Sequence, residues 1–212
     1  ALFLTKPSDL GYPDIGYELP ELHVHEEIVE VDNSTPMQDR DGQAMMFRSA
    51  ALSLQDAARE RRDCMPSKIA RVVEIINRPE NRDDHFLLWH DLEAERVELC
   101  KAIPGCKAVY GSQDDEEADE IIQEFKDGRL KYLAAKPEML GEGLNFQYHC
   151  HKAIMFTDYR FNDKFQAVAR IHRFMQKYPV ELYLVYAESE QEIFKSFMQK
   201  WAQHNNMVEN MA

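Results

Sequence analysis

The sequence predicts a doubly wound α/β domain, a mainly parallel sheet with helices on both faces. Two observations carry this. Strand-like and helix-like segments alternate from about residue 66 to the end of the chain. The strand candidates are also short and continuously apolar, as strands covered on both faces are. With 212 residues, the chain buries enough apolar surface to fold without staples, and one compact domain is the expectation.

Taken in order, residues 1–44 form a lead-in rich in Pro, Gly and Asp (PSDLGYPDIGYELPEL, DNSTPMQDRDG) with one strand candidate, EEIVEV, between those stretches. The main domain is expected over 45–212. It opens with helices over 49–62 and 66–77, the second with Pro66 near its start, then a strand at 85–90 and a helix at 93–103. A strand at 107–112 leads to an acidic helix, QDDEEADEIIQE at 113–124, whose leading carboxylates suit the positive end of the helix dipole. A strand at 131–135, a Gly-containing loop, a strand at 152–157, a helix at 163–174, a strand at 180–187 and a helix at 190–204 complete the chain. Five strands thus alternate with helices. Ligands of such sheets sit at the carboxyl ends of strands, which draws attention to the loops WHDLEAE (89–95), AKPEMLGEGLN (135–145) and TDYRFND (157–163).

Composition narrows the function. No apolar run approaches the roughly 20 residues that cross a bilayer, and the N-terminus carries no basic leader or cleavage site, so a soluble, cytoplasmic protein without membrane partners is expected. The chain begins without Met, as a piece of a longer protein would. Cys64, Cys100, Cys106 and Cys150 show no paired-knuckle spacing and read as reduced thiols. His149, Cys150 and His151 resemble a metal site at first sight. On a strand, however, the two imidazoles share a face that the thiol leaves, so they read as strand-edge histidines, with no metal expected. A formal charge of −13 argues against a broadly polyanion-binding surface, although much of the excess lies in the 113–124 run.

The segment QAVARIHRFMQ (166–176) is the most informative. Gln166, Arg170 and Arg173 are spaced by four and three, which on a helix stacks them on one face. Phe165, Val168, Ala169 and His172 would form the buried side. Arginines so placed either pair with carboxylates elsewhere or suit bidentate capture of phosphate oxygens. In AKPEMLGEGLNF (135–146), Gly141 and Gly143 either make a simple turn or let backbone N–H groups approach a phosphate or sugar. The chain has no GxxxxGK[ST] loop and no acidic DEAD-type motif for magnesium. Phosphoryl transfer needs both. Any nucleotide chemistry therefore requires another polypeptide segment.

These residues resemble a known family. QAVARIHRFMQ is similar to motif VI, Q-x-x-x-R-x-H-R-x-x-Q, of superfamily-two helicases, especially the Swi/Snf type of DNA translocase. PSKIARVVEII with HFLLWHDLEAE resembles the opening of motif IV in the second RecA-like lobe, and VYGSQDDEEADEIIQEFKDG resembles the strand, Gly-Ser and helix that follow. LKYLAAKPEMLGEGLNFQ is similar to motif V, and KAIMFTDYRFNDKFQ to the segment carrying an Asp, an aromatic and an Asn before the Gln, here Asp158, Phe161, Asn162 and Gln166. The blocks run in order over about residues 66–200, and the lead-in resembles the junction after the first lobe in bacterial and prophage helicases. The sequence departs from the pattern at Met175, where Gly is usual, and at Pro137 and Glu138, where motif V has small residues.

The resemblance implies a RecA-like C-terminal motor lobe of an ATP-dependent helicase or translocase working on nucleic acid, DNA on the Swi/Snf pattern. ATP would lie between this lobe and an N-terminal RecA-like lobe of the same protein, which would hold Mg2+. Arg170 and Arg173 would reach the γ-phosphate, with Gln166 positioning them or the surroundings of the attacking water. Gly141, Gly143 and Asn145 would contact the nucleotide. Lys136 and His90 would contact the nucleic-acid backbone. The fragment alone would be inactive. The alternative is a motor-like lobe without a cycle, binding partner proteins through the acidic helix; a small-molecule α/β enzyme is the third reading.

Overall fold

Each central strand turns alternate side chains to opposite faces, and both sets are apolar, so the sheet must be covered twice. A computed structural model shows how; it describes residues 11, 13, 19–30, 37–38, 44–45, 63–140, 144–156 and 161–211. The expected helix over 49–62 lies outside the described residues.

The described elements are β1 (Leu22–Val29), β2 (Met37–Gln38), β3 (Ala44–Met45), α1 (Met65–Asn77), β4 (His85–Trp89), α2 (Glu93–Ala102), β5 (Cys106–Val109), α3 (Asp115–Lys126), β6 (Tyr132–Ala135), β7 (Cys150–Phe156), α4 (Phe161–Val168), β8 (Val180–Ala187) and α5 (Gln191–Met211). Six strands form one sheet in the order β1-β8-β7-β4-β6-β5, and every neighbouring pair in it is parallel. Strands β2 and β3 form a separate antiparallel pair, with β3 straddling the expected boundary after residue 44.

The two faces have separate cores. Leu87 and Trp89 of β4, Ala153 and Met155 of β7 and Leu182 and Leu184 of β8 pack with Ile121 and Phe125 of α3, Ala167 and Val168 of α4 and Phe197 and Trp201 of α5. The intervening Phe86, Leu88, Ile154, Phe156, Tyr183 and Val185 pack with Ile69, Val72, Ile75 and Ile76 of α1 and Leu99 of α2. This is the doubly wound arrangement. Each fully buried Leu, Ile or Phe contributes about 1.5–3 kcal/mol, so both layers are held by many independent anchors.

Local signals explain the ends of the helices. α1 starts with Pro66 in its first turn and stops at Arg78, whose extended backbone (ψ 142°) precedes Pro79. α3 is capped by Asp114, whose carboxylate accepts from the Glu116 N–H at 3.0 Å, and Asp115, Glu116 and Glu117 occupy its first turn.

Three elements differ from expectation, the simplest being α5, which runs to Met211 instead of ending at residue 204. The sheet has a sixth strand, β1, built from the lead-in and paired along its full length with β8, from Leu22 opposite Val180 to Val29 opposite Ala187. Its polar alternation is that of an edge strand: Glu26 accepts from the Tyr186 hydroxyl and Glu27 pairs with Arg78 at 2.8 Å. The helix expected to reach residue 174 ends at Val168. Ala169, expected on its buried side, is exposed, and Ala167 is buried instead.

Candidate functional site

Beyond Val168 the chain turns tightly instead of continuing as helix. The Ile171 and His172 N–H groups both bond back to the Val168 carbonyl, at 3.0 and 2.9 Å. The carbonyls that would continue the helix are taken by tertiary partners. Arg170 O accepts from the Phe146 N–H at 3.2 Å, and Ile171 O accepts from the Gln176 carboxamide at 3.2 Å.

Gln176 is the anchor of this loop. Its amide nitrogen also donates to Cys150 O at 3.0 Å, while its carbonyl oxygen accepts from the N–H groups of Lys177 and Tyr178 at 2.9 and 3.1 Å. Met175 takes a positive φ of 69° to close the turn, a conformation that costs a non-glycine residue free energy. Glycine would adopt it without that cost, which gives the departure at Met175 a local physical meaning.

The loop and α4 form one wall of an open cleft of about 540 Å³ lined by Leu19, Gln166, Ala169, Arg170, His172, Arg173 and Phe174. All three side chains expected to be catalytic line it. Gln166 is exposed, while Arg170 and Arg173 are half-buried. The Arg173 guanidinium donates through Nη1 to Asn145 Oδ1 and lies 5.4 Å from the centre of the Phe174 ring. Among the described residues its buried Nε has no partner, and no carboxylate pairs with the guanidinium. A cation oriented by a neutral amide and left without a counter-charge suits an incoming anion.

The cleft lies at the amino end of the sheet. Pro20 and Glu21 lead into β1, the Glu21 carbonyl accepts from the N–H of Val180 at the start of β8 (2.8 Å), and His172 Nε2 donates to Pro20 O at 2.9 Å. The expected rule, ligands at the carboxyl ends, therefore does not locate the arginines. α4 carries the chain back along the sheet, so residues after it reach the opposite end.

His90 and Lys136 are at the carboxyl end, directly after β4 and β6. His90 is 1% exposed, and among the described residues neither ring nitrogen makes a well-formed hydrogen bond. Burial, and then the nearby Lys136 cation, push its pKa down to about 4. Lys136 is half-buried. The same rim is tied together by Lys164 of α4, which donates to Asp91 at 3.0 Å and to the Phe156 carbonyl, and by Glu95, which accepts from the Asp91 and Leu92 N–H groups at 2.8 Å each. Gly141, Gly143 and Asp158 lie outside the described residues.

The structure thus gathers Asn145, Gln166, Arg170 and Arg173 at one end and His90 with Lys136 at the other. Sequence reasoning missed the anchoring role of Gln176, although that residue closes the quoted motif, and the His172 contact to the lead-in, for which the sequence carries no signal. Among the described residues no three His, Cys, Asp or Glu side chains gather as a metal site. His151 lies 3.8 Å from Asp84, and His23 and His25 both bond to Glu181. No described helix is long and apolar enough to cross a membrane.

The architecture is a RecA-like α/β fold, and solved structures share it. The C-terminal part of the Fun30 ATPase domain superposes with a TM-score of 0.54 at 16% identity, over 61% of this chain and 44% of the other. A variant of S. cerevisiae Dbp5, bound to a variant of Gle1 and IP6, superposes with a TM-score of 0.51 at 12% identity, over 69% of this chain and 43% of the other. This chain therefore spans less than half the length of either structure. No family model and no curated protein matches the sequence.

Proposed function

We propose that this chain is the C-terminal motor lobe of an ATP-dependent nucleic-acid helicase or translocase of superfamily two, of the Swi/Snf-like type and acting on DNA. One observation carries the reading: Gln166, Arg170 and Arg173 line a single open cleft, and Arg173 is held there by Asn145 with no carboxylate among the described residues to neutralise it. A guanidinium in this state fits a polyphosphate, and the order of motifs along the chain supports the same assignment.

In this proposal Arg173 and Arg170 bind phosphate oxygens of an ATP whose remaining contacts, and whose magnesium, belong to a preceding lobe. Bound Mg-ATP supplies the transferable γ-phosphoryl group. Arg173 meets the negative charge that develops there, and such arginines contribute roughly 10³ to 10⁵ in rate. Asn145 acts on Arg173 by fixing its orientation, a positioning role in place of the nucleotide contact expected of it. Gln166 presents an exposed carboxamide at the same opening. Gly141 and Gly143 are proposed to approach the nucleotide through their backbone.

Division of the site between two lobes makes turnover depend on their closure, which couples ATP state to lobe position. At the far end of the sheet, Lys136 is the proposed contact to a nucleic-acid phosphate; His90 lies beneath the same rim and reaches a strand only when that rim opens. Separation of the two groups by the length of the sheet suits a motor in which the fuel site and the track are distinct.

The test is ATPase activity of the complete protein with single- and double-stranded DNA and RNA. Arg173→Ala lowers turnover by about 10³ or more while ATP binding persists, and this chain alone shows no turnover above background. Wild-type turnover by Arg173→Ala overturns the role given to Arg173, and absence of nucleic-acid-stimulated turnover by the complete wild-type protein overturns the motor reading and leaves a lobe that binds partners without a cycle.

A further inference from the structure

Far from the arginine cleft, the turn between α2 and the edge strand β5 brings two cysteines together. Cys100 occupies the last turns of α2 and Cys106 opens β5. The connection is short because the Ile103 N–H bonds to Leu99 O at 3.0 Å and the Cys106 N–H to Ile103 O at 3.1 Å. Gly105 reverses the chain with a positive φ of 78°, which glycine adopts without steric cost. The two sulfurs are 3.9 Å apart, and both residues are half-buried. A disulfide needs about 2.05 Å, so the sulfurs must close by less than their present separation in a turn that already faces them toward each other.

The pair is also chemically set apart from the other thiols. In the Cys100 thiolate, the hydrogen bond from the Cys106 S–H and then the nearby Arg96 cation hold the Cys100 thiol down to about 7, against the opposing effect of burial. The same hydrogen bond, followed by burial, raises the Cys106 thiol. Cys150 is buried and its thiol is pushed up to about 12, and Cys64 is buried as well. Thiolate character and access decide which cysteine reacts first: access favours Cys100 and Cys106 over the buried Cys64 and Cys150, and the Arg96 cation near Cys100 favours its thiolate within the pair.

We propose that Cys100 and Cys106 form a redox-modifiable pair, with Cys100 as the attacking thiol and Cys106 as the resolving one, oxidised by small-molecule disulfides. The Cys100 thiolate attacks one sulfur of an oxidised low-molecular-weight disulfide, RS–SR. A Cys100–SR bond forms and one RS⁻ leaves. Cys106, losing its proton, then attacks Cys100 Sγ; the protein disulfide forms and the second RS⁻ leaves. The protein gives up two electrons and two protons, and the reagent becomes two thiols. The product staples the end of α2 to the outermost strand of the sheet. This inference stands independently of the motor reading.

Oxidised glutathione is the probe, applied to the wild-type chain and followed by intact mass and peptide mapping. The expected result is loss of two hydrogens, a crosslink joining the peptides that carry Cys100 and Cys106, and full reversal by dithiothreitol. Iodoacetamide at neutral pH labels Cys100 more than about tenfold faster than Cys150, following their thiolate fractions. Cys106→Ser stops at a stable glutathione adduct on Cys100, whereas Cys64→Ser still forms the crosslink. An unchanged mass under oxidation, or crosslinks only between chains or through Cys64 or Cys150, overturns the proposal without reference to any variant.

Discussion

Replacing Gln176 by methionine tests whether one buried carboxamide holds the arginine loop. The residue is 7% exposed, and methionine preserves its volume, so no cavity contributes. What is lost are hydrogen bonds. The carbonyls of Cys150 and Ile171, residues at 1% and 0% exposure, lose the donor that now reaches them at 3.0 and 3.2 Å. Each buried acceptor left unmade costs about 1–3 kcal/mol. The N–H groups of Lys177 and Tyr178 belong to exposed residues and turn to water, so they add little. The sum is about 2–6 kcal/mol, well above the ±0.5 kcal/mol of an ordinary surface change. Urea unfolding of the wild-type and variant chains, followed by fluorescence of the buried Trp89 and Trp201, reports it directly. A loss below about 1 kcal/mol would show that the loop is held by other contacts and would refute this account of why the helix ends at Val168.

Other outcomes follow from the same structure. Lys68 and Glu190 form a buried ion pair, 1% and 3% exposed, that ties α1 to the segment after β8; Lys68→Met leaves a buried carboxylate and costs about 3–5 kcal/mol, whereas adding Glu190→Gln recovers part of the loss, both read by denaturant unfolding. His90 has a folded pKa lowered from 6.5 to about 4, so the unfolded chain binds its proton first and stability falls as pH drops through that window, by up to about 3 kcal/mol. Above pH 6.5 the group makes no pH-dependent contribution, and comparison of wild type with His90→Leu across pH 4–7 isolates it; parallel curves would contradict its burial as a neutral ring. The kinetic prediction for Arg173→Ala, normal ATP binding with turnover lowered by about 10³ or more, is checked on the complete protein.

Much of the fold was legible because apolar periodicity is a local property. The continuous runs in β4, β6, β7 and β8 marked strands covered twice, and α1 declared its limits through Pro66 and Pro79. Strand β1 was harder to assign to the sheet: its residues alternate between polar and apolar because it lies at an edge, and the partners of Glu26 and Glu27, Tyr186 and Arg78, are distant in sequence. For the candidate site, the spacing of Gln166, Arg170 and Arg173 drew attention to three residues that line one cleft, but it implied the wrong local conformation for the arginines.

The order of residues alone determined the class of fold, the faces of the central strands and the set of polar side chains worth examining, since each rests on neighbours within a turn or two of the chain. Only the tertiary structure decided where α4 stops, that Asn145 orients Arg173, that His90 is buried, and that Cys100 meets Cys106. The physical reason is competition: the Phe146 N–H and the Gln176 amide take carbonyls that a longer helix would have used, and no periodic pattern records a partner that arrives from another element.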